Sequence, residues 1–165
     1  MVIVICGVAG AGKTTIGQLL AQDLGWKFYD GDDFHPAANI DKMQRGIPLT
    51  DKDRQPWLKS LRRLIDRCLT AREDAVLACS ALKCSYRERL RASDEVQLVF
   101  LRGEYSLIAD QLRQRRGHFF DPALLKTQLA ELEEPQPEEG AITVPLGREP
   151  RELLEDIKAK LRIRK

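Results

Sequence analysis

The residues best suited to chemistry lie near the start of the chain, at positions 7–14, which read GVAGAGKT. They fit the phosphate-binding pattern G-x-x-x-x-G-K-[ST]. In such a loop the backbone N–H groups turn toward phosphate oxygens, the lysine reaches the β- and γ-phosphates, and the final hydroxyl can ligate magnesium. The residues predicted to bind a nucleotide are Gly7, Val8, Ala9, Gly10, Ala11, Gly12, Lys13, Thr14 and Thr15.

Two carboxylates, Asp30 and Asp32, follow the second apolar segment of the chain. Acidic residues just past the carboxyl end of a strand lie where open α/β sheets bind ligands. In phosphoryl transfer one carboxylate can deprotonate the acceptor hydroxyl while another holds magnesium through water. We assign the base to Asp32 and the metal to Asp30 together with Thr14. The alternative is a plain acidic turn cap.

Other features narrow the class of P-loop protein. No N-K-x-D base-reading motif occurs, and the later apolar strands do not end in aspartate, as they usually do in switch GTPases and motor ATPases. The two carboxylates after the second strand are instead the arrangement of small-molecule kinases. A nucleotide-gated binding module, which makes no product, remains the alternative from another class.

The elements that must position these residues alternate between strands and helices. Strands are predicted at residues 2–6, 26–29, 75–79, 96–101 and 141–144, with helices at 13–24, 40–45, 56–69, 83–92, 105–115, from 122 and at 150–161. This alternation is the βαβ pattern of a parallel sheet. The acidic, proline-containing run at 131–139 is expected to be a solvated and mobile excursion.

Composition restricts the partners. The chain has 165 residues, 43% of them hydrophobic, and a net charge of +2, which gives no reason to expect nucleic acid as a partner. No stretch approaches the roughly 20 apolar residues that span a bilayer, and no secretory signal is recognisable, so we expect no membrane partner and a cytoplasmic location. The four cysteines form no zinc pattern and are expected to be free thiols.

Three motifs carry a resemblance to a known family over essentially the whole chain. They are D-G-D-x-x-H-P at 30–36, C-S-A-L-K at 79–83 and G-H-F-F at 117–120. Together with the P-loop they make the sequence resemble the gluconokinases, small kinases that phosphorylate D-gluconate at its 6-hydroxyl. The resemblance implies a nucleoside-monophosphate-kinase-like P-loop fold, MgATP as phosphoryl donor and commonly a homodimer. We therefore predict one α/β domain over residues 1–165, a three-layer sandwich whose five-stranded parallel sheet is ordered 2-3-1-4-5, and a lid at about 115–140.

The same resemblance suggests an acceptor site. A sugar acid offers a carboxylate, which needs cations, and hydroxyls, which need polar partners. The residues expected to contact the substrate are Asp30, Asp32, His35, Arg54, Lys83, Arg87 and His118. Arg115 is expected to bring a cation over the transferring phosphate when the lid closes, so the predicted catalytic residues are Lys13, Asp32 and Arg115. A shikimate- or nucleotide-type kinase with the same scaffold stays the alternative enzyme.

One segment departs from the family pattern. The last strand is often followed there by an aspartate, a short turn and a proline, whereas residues 144–150 read VPLGREP in this chain. The contacts to the adenine end of the nucleotide therefore cannot be carried over from the family.

Overall fold

A parallel five-stranded sheet forms the centre of the molecule in the computed structural model, which describes residues 1–115 and 122–163. Its strands are β1 (Val2–Cys6), β2 (Lys27–Asp30), β3 (Ala75–Ala78), β4 (Val96–Arg102) and β5 (Ile142–Pro145). They pair in the order β2-β3-β1-β4-β5, and every pair is parallel. The predicted α/β fold and strand order are confirmed.

Helices connect the strands. They are α1 (Lys13–Leu24), α2 (Ala37–Gln44), α3 (Asp51–Thr70), α4 (Cys84–Leu90), α5 (Tyr105–Gln114), α6 (Pro122–Glu131) and α7 (Pro150–Leu161), and short 3₁₀ helices cover Gly31–Phe34 and Pro137–Glu139. Within the described ranges, none of these helices has both the length and the apolar character that crossing a bilayer requires.

The central strand explains why the sheet needs helices on both faces. All five residues of β1 are buried. Val4 and its neighbours of the same parity pack into a core with Leu61 of α3, while Ile3 and Ile5 pack on the other face with Leu20 of α1. Because successive strand residues point to opposite faces, a wholly apolar strand has to be covered twice. The result is the predicted three-layer arrangement.

The long helix α3 begins earlier than its apolar stripe indicated. The sequence prediction started it at Pro56, but the helix begins at Asp51. Thr50 accepts a hydrogen bond from the Asp53 N–H, and the Asp53 carboxylate accepts one from the Thr50 N–H, at 3.1 and 2.9 Å. This reciprocal capping box starts a helix locally without apolar residues. The additional turn carries Asp53 and Arg54 toward the carboxyl edge of the sheet.

The acidic run after α6 is held against α4, which differs from the expected mobile excursion. The Glu133 N–H donates to the Leu82 carbonyl at 2.9 Å, and the Glu133 carboxylate accepts from the Cys84 N–H at 2.8 Å. Further along, Arg91 donates to the Glu139 carbonyl at 2.6 Å. Sequence periodicity does not reveal these contacts between the acidic run and the residues of and beside α4.

Candidate active site

A pocket of about 780 Å³ opens at the carboxyl ends of the strands. Its walls come from the P-loop, the acidic turn after β2, the start of α3, the end of α5, one face of α6 and the loop after β5. A sheet of this type binds ligands at this edge, where the strand order reverses. The fold therefore brings the two predicted motifs, the P-loop and the acids, into one cavity.

The P-loop has the geometry expected of a phosphate cradle. Gly12 has φ of 86°, a left-handed conformation that suits glycine, and it caps α1 with no acidic residue in the first helical turn. The first turn of α1 therefore contributes no carboxylate of its own that would compete with a bound anion. Residues 9–15 line the pocket, whereas Gly7 and Val8 are buried behind it. Lys13 donates to the Val8 carbonyl at 2.9 Å, so its ammonium lies across the loop.

The acidic turn is tied to the P-loop and to α3. Asp30 accepts from the Thr14 hydroxyl at 3.1 Å and, with its other oxygen, from the Asp32 N–H at 3.0 Å. A side chain at Gly31 would meet the Ala78 carbonyl oxygen at 2.7 Å, so only glycine allows the turn to lie this close to β3. The Trp57 indole N–H donates to the Gly31 carbonyl at 2.8 Å and fixes the turn from the other side.

The pair of Thr14 and Asp30 fits a magnesium site. Magnesium is usually held by one or two oxygen ligands of the protein together with substrate phosphates and water. The hydroxyl and carboxylate are already within hydrogen-bond distance of each other beside the phosphate cradle. Among the described residues no cluster of three metal-ligating side chains exists, so phosphates and water have to complete any such site.

Asp32 is the carboxylate left free to act on a substrate. No described side chain or N–H donates to its oxygens, and it is exposed on the pocket surface. Reduced solvation in the pocket raises the pKa of Asp32 above its usual 3.8, and the Asp30 charge raises that pKa further, against the effect of Lys13. Both causes make it a better proton acceptor than an ordinary aspartate.

Two predicted acceptor residues, His35 and Arg54, line the same pocket on the α3 side. The His35 ring stacks on Trp57 with centroids 4.5 Å apart. The Arg54 guanidinium donates to Glu131 of α6 at 2.9 Å and to the Tyr86 hydroxyl at 3.3 Å, and its side chain is 14% exposed. Arg54 thus reaches the pocket with its charge already paired.

Lys83 lies beside this group but does not line the pocket. Its ammonium is bound by both oxygens of Asp51, at 2.8 and 3.1 Å. Asp51 also accepts the Tyr86 hydroxyl, whose oxygen accepts from Arg54. Lys83 is therefore connected to Arg54 through two intervening side chains, and any direct contact with a substrate requires it to leave Asp51.

The structure does not bring Arg87 to the pocket. Its side chain is 1% exposed and forms a two-pronged pair with Glu139 at 2.6 and 2.9 Å. It also donates to the Ala81 and Leu82 carbonyls at 3.0 and 3.1 Å. With four donor contacts used inside the protein, Arg87 cannot hold a substrate carboxylate. We correct its assignment to a structural one, which joins α4 to the run after α6.

Replacing Arg87 with Met should lower the free energy of unfolding by about 3 kcal/mol, because it leaves Glu139 without its partner in a largely buried position. Urea denaturation measures this loss, and Arg89→Met, on the exposed side of the same helix, is the matched control. The KM for the acceptor in the folded variant should stay near the unmodified value. A stable variant with a large rise in that KM would restore Arg87 as a substrate residue.

Of the two predicted lid residues, only one is described. Arg115 is exposed, follows the last residue of α5 and lines the pocket. His118 lies outside the described residues, as do the other members of the G-H-F-F motif. Arg115 is thus adjacent to the cavity over which a lid cation has to act.

Helix α6 contributes residues that sequence analysis did not single out. The side chain of Gln128 accepts the Ala9 N–H of the P-loop at 2.7 Å, and Glu131 accepts from Arg54. Leu124 and Thr127 line the pocket as well. Positions 124, 127, 128 and 131 lie on one face of the helix, and this spacing is the sequence pattern that could have indicated them. One face of α6 therefore contacts both the phosphate cradle and the acceptor side.

The loop after β5 closes the far end of the pocket. Residues 146–148 and Pro150 line it together with Leu112 and Gln114 of α5. Arg148 is paired with Asp156 at 2.8 Å. This end of the pocket lies away from the acidic turn, because β5 and β2 are the two edge strands of the sheet.

A phosphate cradle and an acidic turn in one cavity at the carboxyl edge of a 2-3-1-4-5 sheet define a P-loop kinase. The family model described as shikimate kinase matches residues 9–156. The chain is 45% identical over 156 residues to gluconokinase from Gluconobacter oxydans, and this alignment covers 94% of this chain and 88% of that relative. The chain belongs to the gluconokinase family, and it shares the domain that the shikimate kinase model describes.

Solved structures agree with this placement. A sugar kinase from Janibacter sp. is 42% identical with a TM-score of 0.91, covering 98% of this chain and 94% of its own. A gluconokinase from Sinorhizobium meliloti is also 42% identical, with a TM-score of 0.86, and covers 97% of this chain and 90% of its own. The similarity thus extends over the entire described fold.

Proposed function

We propose that this protein transfers the γ-phosphoryl group of ATP to the 6-hydroxyl of D-gluconate, giving 6-phospho-D-gluconate and ADP. The observation that carries the proposal is the free Asp32 carboxylate, which shares one cavity with Lys13 of the P-loop and with the cation Arg54. Membership of the gluconokinase family supports the choice of acceptor.

Each residue has a defined task in this reaction. The P-loop N–H groups and Lys13 bind the β- and γ-phosphates, and Asp32 accepts the proton of the 6-hydroxyl as its oxygen attacks the γ-phosphorus. The bond from that phosphorus to the bridging oxygen breaks, and ADP leaves. Magnesium, when bound at Thr14 and Asp30, neutralises developing charge on the phosphates.

The acceptor is held on the α3 side of the pocket. Arg54 binds its carboxylate, His35 contacts a hydroxyl, and Lys83 assists from the rim once released by Asp51. Arg115 moves over the transferring phosphoryl group as a lid cation, with His118 as a further contact. The run after α6 is bound to α4, and Gln128 of α6 is bound to the P-loop. The lid at about 115–140 stays a prediction.

Coupled ADP release with a panel of acceptors tests the proposal. Gluconate, shikimate, glycerate, glucose and nucleoside monophosphates are compared at equal concentration with MgATP. Gluconate should give the highest kcat/KM. Faster turnover of shikimate would assign the enzyme to the other reaction of this fold, and nucleotide binding without ADP release for any acceptor would favour a binding module.

Glucose should be the poorer substrate, by about 10- to 100-fold in kcat/KM, because it presents a 6-hydroxyl but no carboxylate. A hydrogen bond to a charged group is worth about 1.5–3 kcal/mol, and each 1.36 kcal/mol is tenfold. A larger gap is not expected, since Arg54 keeps Glu131 as a partner when no carboxylate is bound.

Arg54→Met tests the cause of this discrimination. It should lower kcat/KM for gluconate by a similar factor and leave that for glucose nearly unchanged. Arg63→Met, an exposed arginine of the same helix outside the pocket lining, is the control. Equal losses for both sugars would mean that Arg54 does not bind the carboxylate.

The homodimer and the cytoplasmic location stay predictions. Light scattering of the purified protein tests the first, and cell fractionation tests the second. The requirement for magnesium is tested by measuring ADP release with gluconate, with and without a chelator. Adding the chelator should abolish turnover.

A further inference from the structure

Asn39 on α2 is one of the few polar side chains buried in the described part of the chain, with 3% exposure. Its amide nitrogen donates to the Asp53 carbonyl at 2.9 Å and lies 3.2 Å from Nδ1 of His35. Asn39 therefore joins the start of α3 to a histidine on the pocket wall, although it does not line the pocket itself.

These two contacts determine which nitrogen of His35 carries the proton. A backbone carbonyl can only accept, so the nitrogen of the Asn39 amide, and not its oxygen, faces Asp53. The second hydrogen on that nitrogen is then directed at Nδ1, which has to accept it. A ring whose Nδ1 accepts carries its proton on Nε2 when neutral.

The ring is also held in place. It stacks on Trp57 with planes 8° apart, and the Trp57 indole is bound to the Gly31 carbonyl of the acidic turn. Among the described residues Nε2 has no hydrogen-bond partner. No described side-chain nitrogen or oxygen is both buried and without a hydrogen bond, so Nε2 is not a buried atom. Since His35 lines the pocket, its Nε2–H opens on the acceptor side.

The charges around the ring favour its neutral form. Burial, and to a smaller extent the positive charge of Arg54 on α3, lowers the pKa of His35 from 6.5 to about 4. The carboxylate of Asp53 faces Lys42, at 2.8 and 2.9 Å, and that of Asp32 lies on the pocket surface. The carboxylates on the neighbouring elements therefore do not supply the partner that an imidazolium needs.

We propose that Asn39 is a positioning residue that holds His35 as a neutral Nε2–H donor to a hydroxyl oxygen of the acceptor. In this role His35 binds and orients the polyol and does not take a proton, which leaves Asp32 as the base. The proposal rests on the proposed function for the identity of the acceptor, but the state of the ring does not depend on it.

The ring state is measured directly by NMR of the imidazole nitrogens. The chain has two histidines, so His35→Gln assigns the signals. His35 should protonate near pH 4 and carry its proton on Nε2 above that. In Asn39→Asp a carboxylate faces Nδ1, so the proton should move to Nδ1 and the pKa of His35 should rise. A His35 that titrates near 6.5 in the unmodified protein, or that carries its proton on Nδ1, overturns the proposal whether or not gluconate is the substrate.

Kinetics separate positioning from a merely structural role. His35→Gln keeps a donor near the place of Nε2, whereas His35→Phe keeps the stacking on Trp57 without a donor. The KM for the acceptor should rise about tenfold in the Phe variant and less in the Gln variant, with the KM for ATP unchanged in both. Equal values for the two variants would remove the donor role.

The pH profile tests Asn39 itself. With the unmodified enzyme, His35 should contribute no inflection to kcat/KM between pH 5 and 8. Asn39→Asp should add one, at the raised pKa of His35, while Gln44→Glu, which adds the same charge at the exposed end of α2, should not. Asn39→Leu, which removes the donor without adding charge, should raise the acceptor KM and add no inflection to the profile. A folded Asn39→Asp enzyme whose profile gains no inflection contradicts the proposal.

Discussion

Asp32→Asn is expected to lower kcat by about two to four orders of magnitude, the usual effect of removing a general base. The amide keeps the size of the side chain but cannot accept the proton of the 6-hydroxyl. The expectation is specific to Asp32 because Asp30 is bound to Thr14 and to the Asp32 N–H, while no described donor binds the Asp32 carboxylate. The KM for ATP should change much less than kcat.

Steady-state kinetics of three variants distinguish the two acids. Asp33→Asn, next to Asp32 but outside the pocket lining, is the matched control and should behave like the unmodified enzyme. Asp30→Asn should raise the magnesium concentration needed for half-maximal rate. If Asp30→Asn gives the large loss in kcat and Asp32→Asn does not, the two roles are reversed.

The same assignment predicts the acidic side of the pH–rate profile. Reduced solvation in the pocket and then the charge of Asp30 raise the pKa of Asp32, so the carboxylate is the active form only at pH values above this raised pKa. The rate should therefore fall as the pH is lowered, with a midpoint above the 3.8 of an ordinary aspartate. The inflection should be absent in the residual activity of Asp32→Asn.

Lys13→Ala is expected to reduce turnover by at least about 10³-fold, since it removes the fixed positive charge from the place where the transferring phosphoryl group gains negative charge. Lys13 already lies across the P-loop, bound to the Val8 carbonyl at 2.9 Å. Burial lowers the pKa of Lys13, and the negative charge of Asp32 is the largest of the effects that oppose this shift. The negative charge of a bound phosphate also opposes the lowering of the Lys13 pKa.

The fold should tolerate this change, because the lysine is the first residue of α1, at the pocket wall, and does not belong to either hydrophobic core. Thermal unfolding followed by circular dichroism checks this, and Lys59→Met, an exposed lysine of α3, is the control for loss of a positive charge. A folded Lys13→Ala enzyme that keeps most of its activity would refute the P-loop assignment.

Sequence alone determined the elements whose signals are local. A strand that is apolar on both faces, followed by GVAGAGKT and an amphipathic helix, specifies β1, the P-loop and α1. Each of these patterns depends only on residues a few positions apart. The order of the strands followed from recognising the family. The start of α3 was also local, in the Thr50 and Asp53 capping box, but the apolar stripe hid it.

Only the tertiary structure decided which charged side chains reach the pocket. Arg54, Lys83 and Arg87 carry similar charge and lie in family motifs, yet one lines the pocket, one is held at its rim and one is buried. Arg54 pairs with a carboxylate 77 residues away and Arg87 with one 52 residues away. A long side chain binds whichever partner the fold places within reach, and no spacing in the sequence encodes that partner.

The same reason applies to the finer chemistry of the site. The D-G-D-x-x-H-P motif predicted that acids and a histidine lie together, because its members are close in the chain. It could not predict that Thr14 engages Asp30 and leaves Asp32 free, or that a carbonyl 14 residues from Asn39 orients its amide. Sequence therefore determined the inventory of reactive groups, and the packing of α1, α2 and α3 around the turn determined the charge and hydrogen-bonding state of each.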